Sequence, residues 1–262
     1  MLLLVVIDGL VMDKITIPMF QFLTKKFISR WSLDTKVAYP PLTEPSFASM
    51  LHGVDPTMLD VYFDDEEDYG TWVGYPGWVK SVFQILSEAK HSSAICGGWR
   101  GLAEEVVKPG YAEDLTQQNE EKDVDKDTAI RAMEQIKARK HDLFLVYFEE
   151  ADHVAHEHGI GEEYYRTVKK IAKKLDSLLS LLRPKTDVFI VTSDHGRQAS
   201  DGGKSHFEYT RLTTQVPLFV HLPKDKNSSH FHAPTATMDI MPSILSHFHV
   251  PIPSWVRGRP LW

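Results

Sequence analysis

The sequence of 262 residues has few of the features that mark common functional classes. It has one cysteine, Cys96, so no disulfide can form within the chain, and its apolar neighbours predict a buried, unreactive thiol. It also has no run of lysine and arginine, and 36 acidic against 29 basic residues give a net charge of −7. We therefore expect no stable binding of nucleic acid.

Long apolar runs are also absent. None approaches the roughly 20 residues that span a bilayer. The apolar residues 1–7 have no basic segment before them, and they end in Asp8-Gly9 instead of a small-residue cleavage site, so they differ from a signal peptide. We expect a soluble, cytoplasmic protein with no membrane partner. The sequence does not indicate an oligomeric state.

Short apolar runs alternate with amphipathic stretches along the chain. The apolar runs are typical of parallel strands covered on both faces, and the stretches between them have helical periodicity. The predicted strands are residues 2–7, 37–39, 92–96, 143–148, 188–192 and 218–221. The predicted helices are residues 15–29, 43–51, 78–90, 123–139, 162–182 and 238–247. This alternation predicts an α/β fold of three layers, with a mainly parallel central sheet between helices.

Two stretches interrupt this alternation. Residues 60–77 contain five consecutive acidic residues, 64–68, among aromatic side chains, and residues 108–123 are polar without periodicity. Both are too short to fold separately, so we predict a single domain of residues 1–262 with insertions near 60–77 and 108–123. The first insertion is either a solvated surface loop or a loop that acts as a lid or contacts a partner.

Aspartate and histidine side chains follow two of the predicted strands. Asp152-His153-Val154-Ala155-His156 comes after the strand at 143–148, and Asp194-His195 comes one residue after the strand at 188–192. Ligands of open α/β sheets bind outside the carboxyl ends of the strands, so we expect both segments to contribute to one site. Carboxylate and imidazole together suit Zn²⁺, with Mn²⁺ as the alternative.

Several motifs, in this order, resemble the alkaline phosphatase superfamily, and in particular its type I phosphodiesterase and nucleotide pyrophosphatase branch. They are Val6-Ile7-Asp8-Gly9, Thr43-Glu44-Pro45-Ser46, Asp152-His153-Val154-Ala155-His156, Ser193-Asp194-His195-Gly196, and His206 after a glycine pair. Residues 238–245 and 258–261 resemble the closing helix and strand of the superfamily. The resemblance implies an alkaline-phosphatase-like fold and a phosphohydrolase with two divalent metal ions.

The resemblance also implies a role for each motif residue. One ion would be held by Asp8, Thr43, Asp194 and His195, and the other by Asp152, His156 and His206. Thr43 would be the nucleophile and would form a phospho-threonine intermediate, because metal coordination activates a hydroxyl and a helix N-terminus faces phosphate. The substrate would be a small phosphorylated molecule, cleaved at a phosphodiester or nucleotide pyrophosphate bond.

Each of these assignments has a simpler alternative. Asp8 could have no role beyond ending a strand in a turn, and Thr43 could be a plain helix N-cap. Asp152 and His156 could be a solvated pair one helical turn apart. Ser46 is a rival hydroxyl, but its predicted place one turn inside the helix disfavours it as nucleophile. Nucleotide pyrophosphatases have asparagine at the position of Ser46, so its hydroxyl could instead hold a phosphoryl oxygen.

Other histidines compete with the predicted ligands. His153 and His158 lie close to His156 in sequence, and the family spacing selects His156. The pairs at 230/232 and 247/249 could suggest another metal site, but histidines at loops and helix ends are more often simply exposed.

Differences from related enzymes narrow the predicted activity. Sulfatases of this superfamily have cysteine at the position of Thr43 and arginine four residues later, where this chain has Phe47. Arg100 could grip a phosphoryl group bidentately, or it could be a surface arginine; Lys204 is a weaker candidate. The alternatives to a diesterase are a phosphomonoesterase, which Arg100 would support, a phosphonate hydrolase, a non-catalytic metal-binding scaffold, and an interaction protein that uses the acidic loop.

Overall fold

The computed structural model describes residues 1–27, 29–63, 71–74, 76–117, 123–225 and 227–262, and within them eight strands form one sheet and two form a hairpin. The strands are β1 (Leu2–Ile7), β2 (Ser29–Lys36), β3 (Asp60–Phe63), β4 (Thr71–Gly74), β5 (Ser93–Cys96), β6 (Glu113–Asp114), β7 (Leu143–Phe148), β8 (Val188–Thr192), β9 (Gln215–His221) and β10 (Ser229–His230).

Helices cover both sides of this sheet. They are α1 (Phe22–Lys25), α2 (Thr43–His52), α3 (Val82–Glu88), α4 (Val124–Ala138), α5 (Glu150–His158), α6 (Glu162–Leu179), α7 (Arg211–Thr214) and α8 (Ile240–His247). Shorter 3₁₀ segments occur at Ile17–Phe20, Pro56–Met58 and Thr237–Asp239, and a π-helical segment at Leu102–Val107. No helix in the described ranges is both long and apolar enough to cross a bilayer.

The strand order is β10-β2-β9-β8-β1-β7-β5-β6, with β1 parallel to both β7 and β8. Strand β9 is antiparallel to its neighbours β8 and β2. In the central register Ile7 pairs with Phe148 and Val6 pairs with Thr192. Neighbouring strands lie about 4.8 Å apart, so the segments that follow these three strands emerge side by side at one edge of the sheet.

The two faces of β1 show the three layers. Leu3 and Val5 belong to a buried cluster that includes residues of α4, α5 and α6. Leu2 and Leu4 point to the other face, into a cluster with α2, α3 and α8. All four side chains are fully buried, as a parallel strand covered on both faces requires. The predicted three-layer α/β fold with a mainly parallel sheet is therefore confirmed.

The largest difference from the predicted elements lies between β1 and α2. The helix predicted at 15–29 is wrong, because only a 3₁₀ segment and the single turn of α1 form before β2 begins. The strand predicted at 37–39 is also wrong, since β2 ends at Lys36. The buried positions of β2 are Ser29, Ser32 and Thr35, and these hydroxyl side chains give no apolar alternation.

The two predicted insertions contain some regular structure. Strands β3 and β4 pair antiparallel within 60–77, and the acidic run 64–68 lies outside the described residues. Within 108–123, the two residues of β6 pair parallel with β5 at the edge of the sheet. Residues 118–122 also lie outside the described ranges.

Candidate active site

Carboxylates and an imidazole converge at the edge where β1, β7 and β8 end. Asp8 directly follows β1, Asp152 lies in the first turn of α5 after β7, and Asp194 and His195 follow β8; all four are buried. The Nε2 atom of His195 lies 3.3 Å from Oδ1 of Asp8 and 3.5 Å from Oδ2 of Asp194. The adjacent strand ends therefore bring together residues that are almost 190 positions apart in sequence.

Thr43 faces this cluster from the N-terminus of α2. The N-cap of α2 is Leu42 and Thr43 is the first helical residue, so the simpler alternative, in which Thr43 is only the N-cap, is wrong. Its hydroxyl lies 3.3 Å from Nε2 of His195. Because a side chain at the first helical position does not cap the helix, the Thr43 hydroxyl is free to act at the cluster.

His206 joins the site from the loop after β8. Its Nδ1–H donates to the carbonyl oxygen of Pro41 at 2.8 Å, and Nδ1–H of His195 donates to the carbonyl oxygen of Gly196 at 3.0 Å. The two rings stack with centroids 3.7 Å apart. A carbonyl oxygen can only accept, so both rings have their lone pair on Nε2, the atom available to a metal.

His156 lies at the open side of the site. Its Nε2 is 3.0 Å from Oδ2 of Asp152, one turn earlier on α5, and its side chain is 44% exposed. A cavity of about 220 Å³ opens here to solvent, and its lining includes Thr43, Asp152, His156 and His206. The cavity therefore connects the residues that line it, Thr43 among them, with solvent.

The burial of these groups shifts their protonation. Burial raises the pKa of Asp194 to about 6, with a further contribution from the charge of Asp152. Burial also raises the pKa of Asp8, and the neighbouring carboxylates add to this effect. Burial lowers the pKa of His195 to about 4 and that of His206 to about 3, so both imidazoles are neutral at pH 7. Carboxylates that repel each other beside neutral imidazoles are the donor set of a cation site.

The atoms that could bind such a cation form two overlapping clusters. Asp8, Asp194 and His195 form one, and Asp152, His195 and His206 form the other, with ligand atoms within 4.8 Å of one another in each. Oδ1 of Asp8 and Oδ2 of Asp194 are buried and have no hydrogen-bond partner among the described residues. These unpaired oxygens fit a divalent cation. His156 lies outside both clusters.

Two supporting residues were missed in the sequence. The hydroxyl of Tyr147, at the end of β7, donates to Oδ2 of Asp8, and Nη1 of Arg197 donates to Oδ1 of Asp152. Tyr147 and Arg197 are both buried. Tyr147 was concealed within an apolar run. The position of Arg197, directly after Asp194-His195-Gly196, was the signal that could have identified it.

The remaining candidates lie in different surroundings. Ser46 is buried in α2, one turn after Thr43, and its Oγ has no hydrogen-bond partner in the described ranges. Arg100 is exposed and forms an ion pair with Glu104 at 2.6 Å. His158 is also exposed and lies 3.1 Å from a carboxylate oxygen of Glu163. The structure thus places Ser46 beside the predicted nucleophile and Arg100 at the protein surface.

A comparison with known protein families identifies the family of this chain. Residues 2–234 match the family of type I phosphodiesterases / nucleotide pyrophosphatases. The chain belongs to this family. Family membership supports the predicted class of enzyme, a phosphohydrolase, and the predicted resemblance is confirmed.

Sequence relatives of this family member include an enzyme of another activity. A 2,3-bisphosphoglycerate-independent phosphoglycerate mutase of Clostridium tetani is 26% identical over 128 residues, which cover 48% of this chain. The chain spans 25% of the length of the curated relatives it matches.

Solved structures confirm the predicted alkaline-phosphatase-like fold. The murine ectonucleotide pyrophosphatase / phosphodiesterase 5 superposes with a TM-score of 0.70 at 13% identity, and the match covers 96% of both chains. A 2-O GAG sulfatase gives a TM-score of 0.68 at 15% identity, covering 99% of this chain and 73% of the sulfatase. At these identities the likeness shows the fold alone.

Proposed function

We propose that this phosphodiesterase-family protein hydrolyses phosphodiester or nucleotide pyrophosphate bonds through a phospho-threonine intermediate. The observation that carries the proposal is the position of the Thr43 hydroxyl, 3.3 Å from Nε2 of His195. The same nitrogen faces the carboxylates of Asp8 and Asp194. A hydroxyl at a helix N-terminus, beside a cation-binding cluster and open to solvent, is suited to attack a phosphoryl group.

The proposed enzyme holds two divalent ions, Zn²⁺ first and Mn²⁺ as the alternative. We assign the first ion to Asp8, Thr43, Asp194 and His195, and the second to Asp152, His156 and His206. Bound ions would lower the pKa of the attacking hydroxyl and neutralise charge that develops on the phosphoryl oxygens. In an acidic protein of net charge −7, they also supply the positive charge that an anionic substrate needs.

The residues of the chain perform the remaining steps. The Thr43 oxygen attacks phosphorus, and the ester oxygen leaves from the opposite side. The N-terminus of α2 faces the phosphoryl oxygens and stabilises their charge. Ser46 supplies a further donor one turn away, through a hydroxyl that is buried without a partner among the described residues. In this intermediate a phosphodiester joins Thr43 to the retained part of the substrate. Water then attacks its phosphorus and releases a phosphate monoester, and the Thr43 oxygen regains the proton that it gave up to solvent in the first step.

The position of Arg100 bears on the choice of substrate. A monoester carries one more negative charge than a diester and benefits most from a cationic side chain at the phosphoryl group. Arg100 is instead exposed and paired with Glu104. This arrangement favours a diester over a phosphomonoester or a phosphonate, whose phosphoryl groups carry more negative charge. The remaining alternative is a scaffold without catalysis.

The test uses zinc-loaded protein and three p-nitrophenyl substrates: a monoester, the bis-ester and a nucleotide ester. We expect Thr43→Ala to lower kcat/KM for the preferred ester by about 10³-fold or more, because the nucleophile is lost. The control is Thr24→Ala, whose hydroxyl, among the residues that the structure describes, bonds only to a carbonyl oxygen of its own turn at 3.2 Å. Mass spectrometry of wild type acid-quenched during turnover of the nucleotide ester should detect the nucleoside monophosphoryl group on Thr43.

Three results would contradict parts of this proposal. Thr43→Ala that equals wild type on every ester would exclude Thr43 as nucleophile. A monoester preference of about tenfold or more, which is about 1.4 kcal/mol, would exclude the diesterase assignment. Zinc binding without turnover of any of the three esters would favour the scaffold.

A further inference from the structure

Arg197 is a buried cation inside the candidate site, with only 1% of its surface exposed. Its Nε donates to the carbonyl oxygen of Gly203 at 2.8 Å, and its Nη2 donates to that of Lys204 at 2.6 Å. Its Nη1 donates to Oδ1 of Asp152 and lies 3.3 Å from Nε2 of His156. Protein atoms therefore fix the guanidinium on all sides.

The position of Nη1 matters for metal binding. It contacts Asp152 and His156, and both are assigned to the second ion. An ion bound between these two side chains must share Asp152 with a guanidinium that cannot lose its proton. Like charges in a buried site interact strongly, because little water screens them.

The two metal positions also have unequal numbers of ligand atoms available. His195 belongs to both ligand clusters, and its Nδ1–H donates to the carbonyl oxygen of Gly196, which leaves Nε2 as the one nitrogen of this ring for an ion. One nitrogen lone pair can serve only one ion. An ion held by Asp8 and Asp194 therefore removes His195 from the second cluster, which is left with the ligands nearest Arg197.

The charges of the side chains around the two metal positions also favour unequal binding of the two ions. Asp8, Asp152 and Asp194 carry three negative charges when they are ionised, and Arg197 cancels one of them. A single divalent ion then neutralises these four side chains, and a second ion leaves the cluster positive. The net negative charge of these four side chains attracts the first ion, and once that ion has bound they carry no net negative charge to attract the second.

We propose that Arg197 makes the two metal positions unequal, so that the ion at Asp8, Asp194 and His195 binds tightly and the ion at Asp152, His156 and His206 binds weakly and exchanges. This inference rests on the proposed two-ion function. Arg197 is a positioning residue, because it acts through Asp152 and the turn at Gly203 and Lys204. The second ion then dissociates and rebinds under conditions in which the first ion stays bound.

The test is a zinc titration of the metal-free chain of 262 residues against a chelating dye, with bound zinc counted by elemental analysis. We expect wild type to bind two ions whose dissociation constants differ by at least about tenfold. Arg197→Met removes the charge at similar length, and should tighten the second ion about tenfold or more. Arg197→Lys keeps the charge and should keep the difference.

The matched control is Arg166→Met, which removes an exposed arginine that pairs with Glu162 on α6. It should leave both dissociation constants unchanged. If Arg197→Met does not fold, Arg197→Gln replaces it, because the amide still donates to a carbonyl oxygen and carries no charge. Thermal unfolding of the metal-free proteins identifies the variants that fold.

Two equal zinc affinities in wild type would overturn the inference, whatever the variants do. It would also be overturned if a folded, uncharged variant bound the second ion no more tightly than wild type. These failures are distinct from failure of the proposed function. Wild type that binds no zinc and cleaves no phosphoester would refute the function, whereas active wild type with two equal ions would refute only the role of Arg197.

Discussion

The hydrogen bond from Tyr147 to Asp8 gives the sharpest test of how the site is supported. Oδ2 of Asp8 accepts from the Tyr147 hydroxyl, and Oδ1 is buried with no hydrogen-bond partner in the described ranges. Tyr147→Phe therefore leaves this buried carboxylate without a side-chain donor. The ring remains well packed, because its contact with Phe47, edge-on at 5.1 Å between centroids, does not involve the hydroxyl.

The expected loss follows from that geometry. A hydrogen bond to a charged group contributes about 1.5–3 kcal/mol, and outer partners of metal ligands typically change metal affinity or activity about 10- to 100-fold. We expect Tyr147→Phe to weaken the tighter zinc ion by about this factor and to lower kcat/KM. It should also lower the free energy of unfolding of the metal-free protein by about 1–3 kcal/mol.

Zinc competition, urea unfolding and ester hydrolysis measure these three quantities. Tyr165→Phe is the matched control, because its hydroxyl donates to Oδ2 of Asp13 at 2.7 Å and Asp13 lies outside both ligand clusters. The control should affect stability alone. Wild-type zinc affinity and activity in Tyr147→Phe would refute the reasoning, and so would equal losses in both tyrosine variants.

Two further predictions concern stability. Burial lowers the pKa of His52 to about 4, so the stability from its neutral form is complete above pH 6.5 and is lost as the pH falls through 4. At about 1.36 kcal/mol per pKa unit, lowering the pH from 7 to 4 should reduce the free energy of unfolding of wild type by up to about 3 kcal/mol more than that of His52→Gln. Urea unfolding at the two pH values measures this difference, and equal losses in the two proteins would contradict the prediction. Gly196→Ala places a Cβ 1.9 Å from the carbonyl oxygen of Leu212 and should lower Tm by several degrees. Gly77→Ala, whose Cβ would meet no described atom within 4 Å, should leave Tm unchanged. Equal Tm values would count against the tight packing at Gly196.

The fold could be predicted best where a strand is a continuous apolar run in the sequence. Strands β7 and β8 have the predicted bounds, because each is an unbroken apolar run with polar residues at both ends. Asp8 and Asp194 stand out for the same reason, as charged residues just after such runs. Strand β2 could not be recognised, because Ser29 and Thr35 occupy its buried positions.

The support of the site could not be predicted, because it depends on register and on contacts between distant segments. Tyr147 is next to Asp8 only because it pairs with Val6 when β7 lies beside β1. The sequence around Arg197 indicates a polar loop, and its burial depends on the approach of α5, which carries Asp152. The predicted grouping of Asp152 with His156 and His206 stays a prediction, and the described geometry adds His195 as a shared ligand.

The central position of β1 has a consequence for synthesis on the ribosome. Its two sheet neighbours, β7 and β8, begin at Leu143 and Val188, so its fully buried residues are translated long before their partners exist. At about 5–20 residues per second, the delay before β7 appears is about 7–28 s. During that time an apolar segment without its partners is exposed to aggregation, and a chaperone that holds it would raise the yield of active protein. The candidate active site therefore forms only after β8 has been translated, because it needs both Asp8 after β1 and Asp194 after β8.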